Sequence, residues 1–433
     1  MSRDDDRHVG QATSINLKPG ATAWPRRPIH LLLVSNTEGG PSVGGADRDW
    51  ISLLNALGAD SVRVTWVGRT GSEELRNYVD GRVLTRTIDL PHPCFYDLLT
   101  DDGDTTRSKW LWTKIVIATA LAVGRTSVHL RRSLRRDPVD IVVTNTVVPV
   151  LGAFFARVTR RPHVWNIKEY LDPRVETRRR YAAMITRCSS AVVVPSRVIG
   201  EAFASRLHVL PDGGDIEDMR SRVTSSRSDV LRALSLPSHL PLVAQVGAIS
   251  RRKGQHLSAE AFVRLASRGG PPTCSLVFLG PGRAEERERV VRVLSHAPRE
   301  WRAVVRFDVF REGDLSALAA ADIVLQPSTF HDAFPNAVRE AMTLGKPVIA
   351  SAMGGMVEMI VDGENGLLIA PGDIAALASA LDSLLRSSER RQQLGRSAEL
   401  FARQHFDIHE RKTAFLDLLN QLAYPSCASP SPL

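Results

Sequence analysis

Short, continuous runs of Val, Ile and Leu recur along this chain with helix-length segments between them, and no other feature restricts its fold so strongly. A first series reads "IHLLLVS" (29–35), "VRVTWVG" (62–68), "DIVVTNT" (140–146), "PHVWNIK" (162–168) and "SAVVVPS" (190–196). A second reads "PLVAQVG" (241–247), "CSLVFLG" (274–280), "AVVRFDV" (303–309), "ADIVLQP" (321–327) and "KPVIAS" (346–351). Runs that are apolar throughout suit parallel strands covered on both faces. The intervening segments make each strand part of a βαβ unit. Between the series lies "LHVLPDGGD" (207–215), a stretch rich in turn residues. The expectation is two doubly wound, Rossmann-like α/β domains joined near 213–238, with the site in the cleft where strand carboxyl ends face each other. Residues 373–388 and 389–422 read as two closing helices.

With 433 residues the chain is long enough for two full cores. A hydrophobic fraction of 43% argues against general disorder. The net charge of +9 attracts acidic partners: nucleotide phosphates, nucleic acid or an anionic membrane. Cys94, Cys188, Cys274 and Cys427 are scattered and form no CxxC, so neither a zinc site nor a disulfide framework is indicated, and a reducing cytosol fits. The polar stretch before Arg27 and the terminal "PSCASPSPL" read as disordered tails. The most apolar segment, "WLWTKIVIATALAVG" (110–124), holds Lys114 and is shorter than the ~20 residues of a spanning helix. A helix buried in the domain is preferred there over a helix on an anionic membrane surface through 107–136, next to "RRSLRR" (131–136).

Three loops carry candidate chemistry. In "SNTEGGPSVGGADRDWISLLNALG" (35–58), glycines including Gly44 and Gly45 let the backbone approach a ligand, and a helix from about Ala46 directs its first amides at it. A tight structural turn is the plainer alternative. In "VGAISRRKGQHLSAEAF" (246–262), a strand ends at Gly247 and a helix begins near Gly254, with Arg251, Arg252 and Lys253 between them. Phosphate binding is preferred over a merely solvated basic loop. In "HDAFPNAVREAM" (331–342), Asp332 and Glu340 stand eight positions apart. Pro335 suits a first helical turn and Gly345 a cap, giving a helix of about ten residues. Asp332 then lies in the cleft loop, Glu340 on the second turn, and the helix entrance over Phe334, Pro335, Asn336 and Ala337 points its free amides back into the cleft. A carboxylate accepts bonds from vicinal hydroxyls, so this spacing fits a nucleotide sugar. A solvated helix face is the alternative. Glu358, in "GGMVEM" (354–359), falls at the same edge.

The second half resembles a family 4 retaining glycosyltransferase of the GT-B fold, among the glycosyl transferases group 1. The resemblance is carried by "KGQ" (253–255), "DAFPNAVREAM" (332–342), "GKPVIAS" (345–351) and "GGMVEMIVDGENGLLIAPGD" (354–373), over roughly 240–390. The first half is similar more loosely, through "GGPSVGGAD", "VWNIKEYLD" and "LPDGGD". The resemblance implies a disordered tail over 1–27, an acceptor domain over 28–213, a nucleotide-sugar domain over 214–392, a helix over 393–423 packing back on the first domain, and a tail over 424–433. It implies that Lys253 binds the donor diphosphate, Glu340 the ribose and Asp332 the transferred sugar. Gly44, Gly45, Gly247, Arg252, Lys253 and residues 334–337 complete the donor contacts. Asp332, Lys253 and Glu169 are the candidate catalytic set, although which of Asn166, Lys168 and Glu169 faces the sugar is open at this point. His163 is expected to pack early in its strand. Asp332 stands in place of the family's glutamate, so the backbone must approach by a methylene's length. Ala248 stands in place of an arginine that Arg251 or Arg252 replaces, and Asp212-Gly213 occupies the hinge.

Retention implies front-face attack, with the leaving diphosphate oxygen taking the acceptor's proton. No D-x-D metal site appears, so metal independence is expected, with no cofactor beyond the donor. The expected partners are a nucleotide sugar and a glycan, glycolipid or small-molecule acceptor, with no nucleic acid. The expected place is the cytoplasm, with peripheral contact at the inner membrane face as an open option. A nucleotide-sugar-binding protein without transfer activity is the alternative from another class.

Overall fold

The computed structural model describes residues 27–36, 45–90, 123–308 and 313–425. Gly44, the tails before Arg27 and after Pro425, and most of the apolar segment 110–124 lie outside the described residues.

Both sheets are wholly parallel. The first runs β3-β2-β1-β4-β5-β6-β7, with β1 Ile29–Val34, β2 Val62–Gly68, β3 Leu84–Asp89, β4 Ile141–Asn145, β5 His163–Asn166, β6 Ala191–Val194 and β7 Leu207–Val209. The second runs β10-β9-β8-β11-β12-β13, with β8 Leu242–Val246, β9 Ser275–Leu279, β10 Val305–Asp308, β11 Ile323–Gln326, β12 Val348–Ser351 and β13 Leu367–Ile369. Every residue of β1, β4, β8 and β11 is buried, as continuous apolar strands under two helical layers must be. Strand order reverses direction between β1 and β4 and between β8 and β11. Helices leave opposite faces there, opening a crevice at the carboxyl ends.

Three strands go beyond the continuous runs. β3, "LTRTID", is an edge strand with only Leu84 buried. β7 and β13 have three residues each, and β7 lies inside the stretch that reads as a turn. The closing helices also differ from expectation. Ile374–Arg386 stands alone, but 389–422 is two helices, Ser388–His405 and Ile408–Ala423, broken at Phe406 and Asp407. Asp407 caps the second, accepting from the amide of His409 at 2.8 Å.

The chain crosses between domains at two places that touch. The Gly214 amide donates to the Phe406 carbonyl at 3.0 Å, and the Ile408 amide to the Gly214 carbonyl at 3.3 Å. A side chain on Gly213 would sit 3.2 Å from the backbone of Asp407 and Ile408. The Ile408–Ala423 helix then covers the first domain, where Phe415, Leu418 and Leu419 are buried with Trp50. The Phe415 and Trp50 rings meet edge to face at 5.3 Å.

Candidate active site

The second domain contributes two loops at its switch point, one after β8 and one after β11. Gly247 closes β8 at φ +133°, and Arg251–Lys253 forms a single 3-10 turn. Gly254 follows at φ +72°, and a Cβ there would lie 2.0 Å from the Pro327 carbonyl oxygen, so glycine alone permits the two loops to touch. Gln245 fixes the loop from beneath, donating to the Lys253 carbonyl at 2.7 Å, while Ser258 donates to Gln245 at 2.7 Å. The Lys253 ammonium is thereby delivered to Asp332 Oδ1 at 3.0 Å. Asp332 Oδ2 accepts from Ser328 at 2.8 Å and from Gln326 at 3.3 Å. Arg252 lies exposed with its guanidinium 3.9 Å above the Phe330 ring.

The helix after the Asp332 loop runs Asn336–Thr343, eight residues, with Pro335 at the cap position rather than inside the first turn. The first amides of such a helix have no acceptor within it. Phe334 is buried against Phe406 at 5.3 Å, so its side chain belongs to the core and only its backbone faces the entrance. Asp332 and Ala333 are pressed onto the glycine turn after β12. The Gly355 amide donates to the Asp332 carbonyl at 2.8 Å, and Cβ atoms on Gly354 and Gly355 would stand 2.3 and 2.0 Å from the carbonyl oxygens of Asp332 and Ala333. Glu340 is half-buried on the second turn. Burial raises its pKa, with Arg339, Arg48 and Arg222 acting in the other direction.

On the first-domain side Gly45 opens the helix Gly45–Leu57, and Asn166, Lys168 and Glu169 follow the end of β5. Asn166 is buried and donates to Asn145 at 2.9 Å. Lys168 is taken by Asp49 at 2.7 Å and by Asp212. Glu169 accepts from the amides of Val147 at 3.0 Å and Lys168 at 3.2 Å, and burial pushes its carboxyl up to about 7. Of the three it alone keeps a titratable group without a side-chain partner among the described contacts. His163 packs at the start of β5 beside Thr144 at 2.8 Å, its pKa lowered by burial to about 4. Asp47-Arg48-Asp49 has the spacing of a D-x-D pair. Both carboxylates are engaged by protein: Asp47 by Ser35 at 2.5 Å and Asn145 at 3.0 Å, Asp49 by Lys168 and Arg411.

The two domains meet through contacts that individual motifs do not disclose. Tyr170 stacks on His331 at 4.1 Å, so Glu169 and Asp332 flank one aromatic pair from opposite domains. Ser196 donates to the Ala333 carbonyl at 3.0 Å. Glu358 accepts from the amides of Arg197 and Val198, both at 3.0 Å, capping a turn of the first domain. A buried ionic cluster lies behind them. Arg411 reaches Asp49 at 2.8 Å and Asp212 at 3.1 Å, and Arg339 reaches Asp49 at 3.4 Å and the Gly213 carbonyl at 2.6 Å. Burial alone would raise the Asp49 carboxyl, but Arg411, Lys168 and Arg339 together hold it below the usual carboxylate range. No single motif brings this cluster together, since its members lie 44 to 362 positions apart; Tyr170 and His331 lie inside motifs, yet nothing in either motif pairs them.

Residues 227–401 match the sequence model of a family described as glycosyl transferases group 1. The matched segment is similar to that family over these residues. The group 1 segment contains Lys253, Asp332 and Glu340, the residues around which the second-domain loops are built. A D-inositol 3-phosphate glycosyltransferase of Xylanimonas cellulosilytica is 30% identical over 259 residues, 55% of this chain and 58% of that protein. A 2-deoxystreptamine N-acetyl-D-glucosaminyltransferase of Streptomyces fradiae is 29% identical, covering 47% of this chain and 48% of that one. The chain thus spans about half the length of the curated relatives it matches. Among solved structures, Anabaena HepE in complex with UDP superposes with a TM-score of 0.71 at 21% identity, covering 91% of this chain and all (100%) of that one. Sucrose-phosphate synthase of Thermosynechococcus elongatus gives 0.69 at 21% identity, over 91% and 99% of the two chains. The architecture is the GT-B arrangement of two doubly wound domains.

Proposed function

We propose that the chain is a retaining glycosyltransferase that moves a sugar from a nucleotide-diphosphate sugar to a hydroxyl acceptor on a glycan, glycolipid or small molecule. The observation that carries this is the Lys253–Asp332 pair, 3.0 Å apart at the switch point of the group 1 segment. A cation and a carboxylate held together there match the two ends of a sugar diphosphate. Similarity to HepE, whose structures contain UDP and UDP-glucose, supports a nucleotide-sugar donor.

In this reading Lys253, Arg252 and the amides at the entrance of the 336–343 helix stabilise the diphosphate as its bond to the sugar breaks. Asp332 orients the transferred sugar and Glu340 the ribose. Glu169 approaches the acceptor hydroxyl from the first domain, and the departing diphosphate oxygen receives the proton. The reaction needs charge stabilisation more than a strong base, and the residues named supply that charge without a metal ion.

Nucleotide release from a panel of nucleotide sugars, with and without alcohol acceptors, tests the proposal. The parent should release nucleotide with at least one donor, and Lys253→Ala should lower turnover roughly ten- to hundredfold, the worth of one charge-assisted contact to a phosphate. Donor binding without release from any sugar would instead mark a nucleotide-sugar-binding protein.

A further inference from the structure

The first domain carries a basic groove that the donor chemistry does not use. Helical residues 123–133 and the Leu151–Thr159 helix share one apolar layer over the sheet, and between them runs a groove of about 1190 Å³. Arg131, Arg132, Arg135, Arg160 and Arg161 line it, and none of the five makes an ion pair with a described residue. No carboxylate is among the lining residues described. The nearest acids along the chain are occupied elsewhere: Asp137 by Arg63 at 2.7 Å and Asp140 by Arg27 at 2.8 Å. Val128, Phe154 and Val158 stand on the same groove, 51%, 40% and 46% exposed. At its wall Ser127 is buried, 3% exposed, and its hydroxyl has no hydrogen-bond partner among the described residues. A single exposed apolar residue carries no meaning, but three of them among five unpaired arginines make an amphipathic surface.

We infer that this groove docks the protein on an anionic phospholipid bilayer. The arginines meet headgroup phosphates, and Val128, Phe154 and Val158 enter the acyl boundary. A nucleic acid would engage the arginines equally, yet it offers no partner for exposed valines, since bases stack on flat aromatic faces. The placement agrees with a docking role. Pro138 and Val139 precede β4, and Arg160 and Arg161 precede β5, so the basic end of the groove lies at the amino ends of the strands. The donor cleft lies at the carboxyl ends and stays open when this end is covered.

Flotation of the full chain with vesicles tests the inference. The parent should rise with vesicles of mixed phosphatidylglycerol and phosphatidylcholine and stay behind with phosphatidylcholine alone. Arg131→Glu, Arg132→Glu and Arg160→Glu together should weaken partitioning at least about a hundredfold, from three surface charges. Phe154→Ser with Val158→Ser should weaken it at least about tenfold with the charge unchanged. This exposed apolar pair serves as an independent variant should the charge reversal unfold the chain. Binding that is equal for both vesicle types, absent for the parent, or unchanged in the folded variants overturns the proposal. So does retention by RNA without retention by vesicles. Nucleotide release measured without vesicles on the same samples should remain at the parent's rate, which separates failure of this surface from failure of the donor site.

Discussion

Asp332 does two things at once in this structure: it holds Lys253 and is itself held by Ser328 and Gln326. Asp332→Asn keeps the size but weakens both contacts. Turnover should fall by at least tenfold while affinity for the free nucleotide diphosphate stays within about twofold, as judged by titration calorimetry. Glu340→Gln should do the reverse, weakening nucleotide binding by ~1–2 kcal/mol. If both variants match the parent, the stretch is a solvated helix and these roles are wrong. Glu169 yields a pH prediction. Its carboxyl is raised from 4.5 to about 7, so the folded state prefers the protonated form. Its stabilisation is complete below pH 4.5 and is lost as pH rises toward 7, by at most about 3 kcal/mol. Melting temperatures of the parent should therefore fall across that window relative to Glu169→Gln; parallel curves would remove Glu169 from the buried carboxyls.

At the scale of elements, the active-site loops are set by glycines as much as by charges. Gly355→Ala places a methyl group 2.0 Å from the Ala333 carbonyl oxygen, which forces the 331–334 loop off the β12 turn. We expect loss of ~2 kcal/mol or more in urea unfolding together with loss of nucleotide release. A variant that keeps both would show that the loop tolerates displacement. The elements most legible in the sequence were the strands buried on both faces, because their continuous Val, Ile and Leu runs admit little else. β3 was hidden because its edge position leaves Thr85 and Arg86 exposed, and β7 and β13 because three residues carry no periodicity. The break at Phe406 and Asp407 was hidden for another reason: the apolar pattern continues through it, and the Asp407 cap is the one local signal of the new helix. Lys253 and Asp332 were legible as motif residues. The ionic cluster of Asp49, Lys168, Asp212, Arg339 and Arg411 was not, since only folding assembles it.

For the whole molecule, that cluster joins both domains and the final helix at one point. Arg411→Met removes a cation shared by two buried carboxylates and leaves Asp212 facing Asp49 with Lys168 as its remaining close partner. Breaking such a buried arrangement from one side costs about 3–5 kcal/mol, so the urea midpoint should drop markedly. An unchanged midpoint would mean that water already reaches the cluster. The return of the Ile408–Ala423 helix to the first domain has a consequence for biosynthesis. Trp50, Leu53 and Leu54 leave the ribosome early, yet the Phe415, Leu418 and Leu419 side chains that share their core are made only after the entire second domain. The first domain therefore emerges with an uncovered apolar face and keeps it throughout translation of the second, a long interval in which a chaperone has a surface to hold.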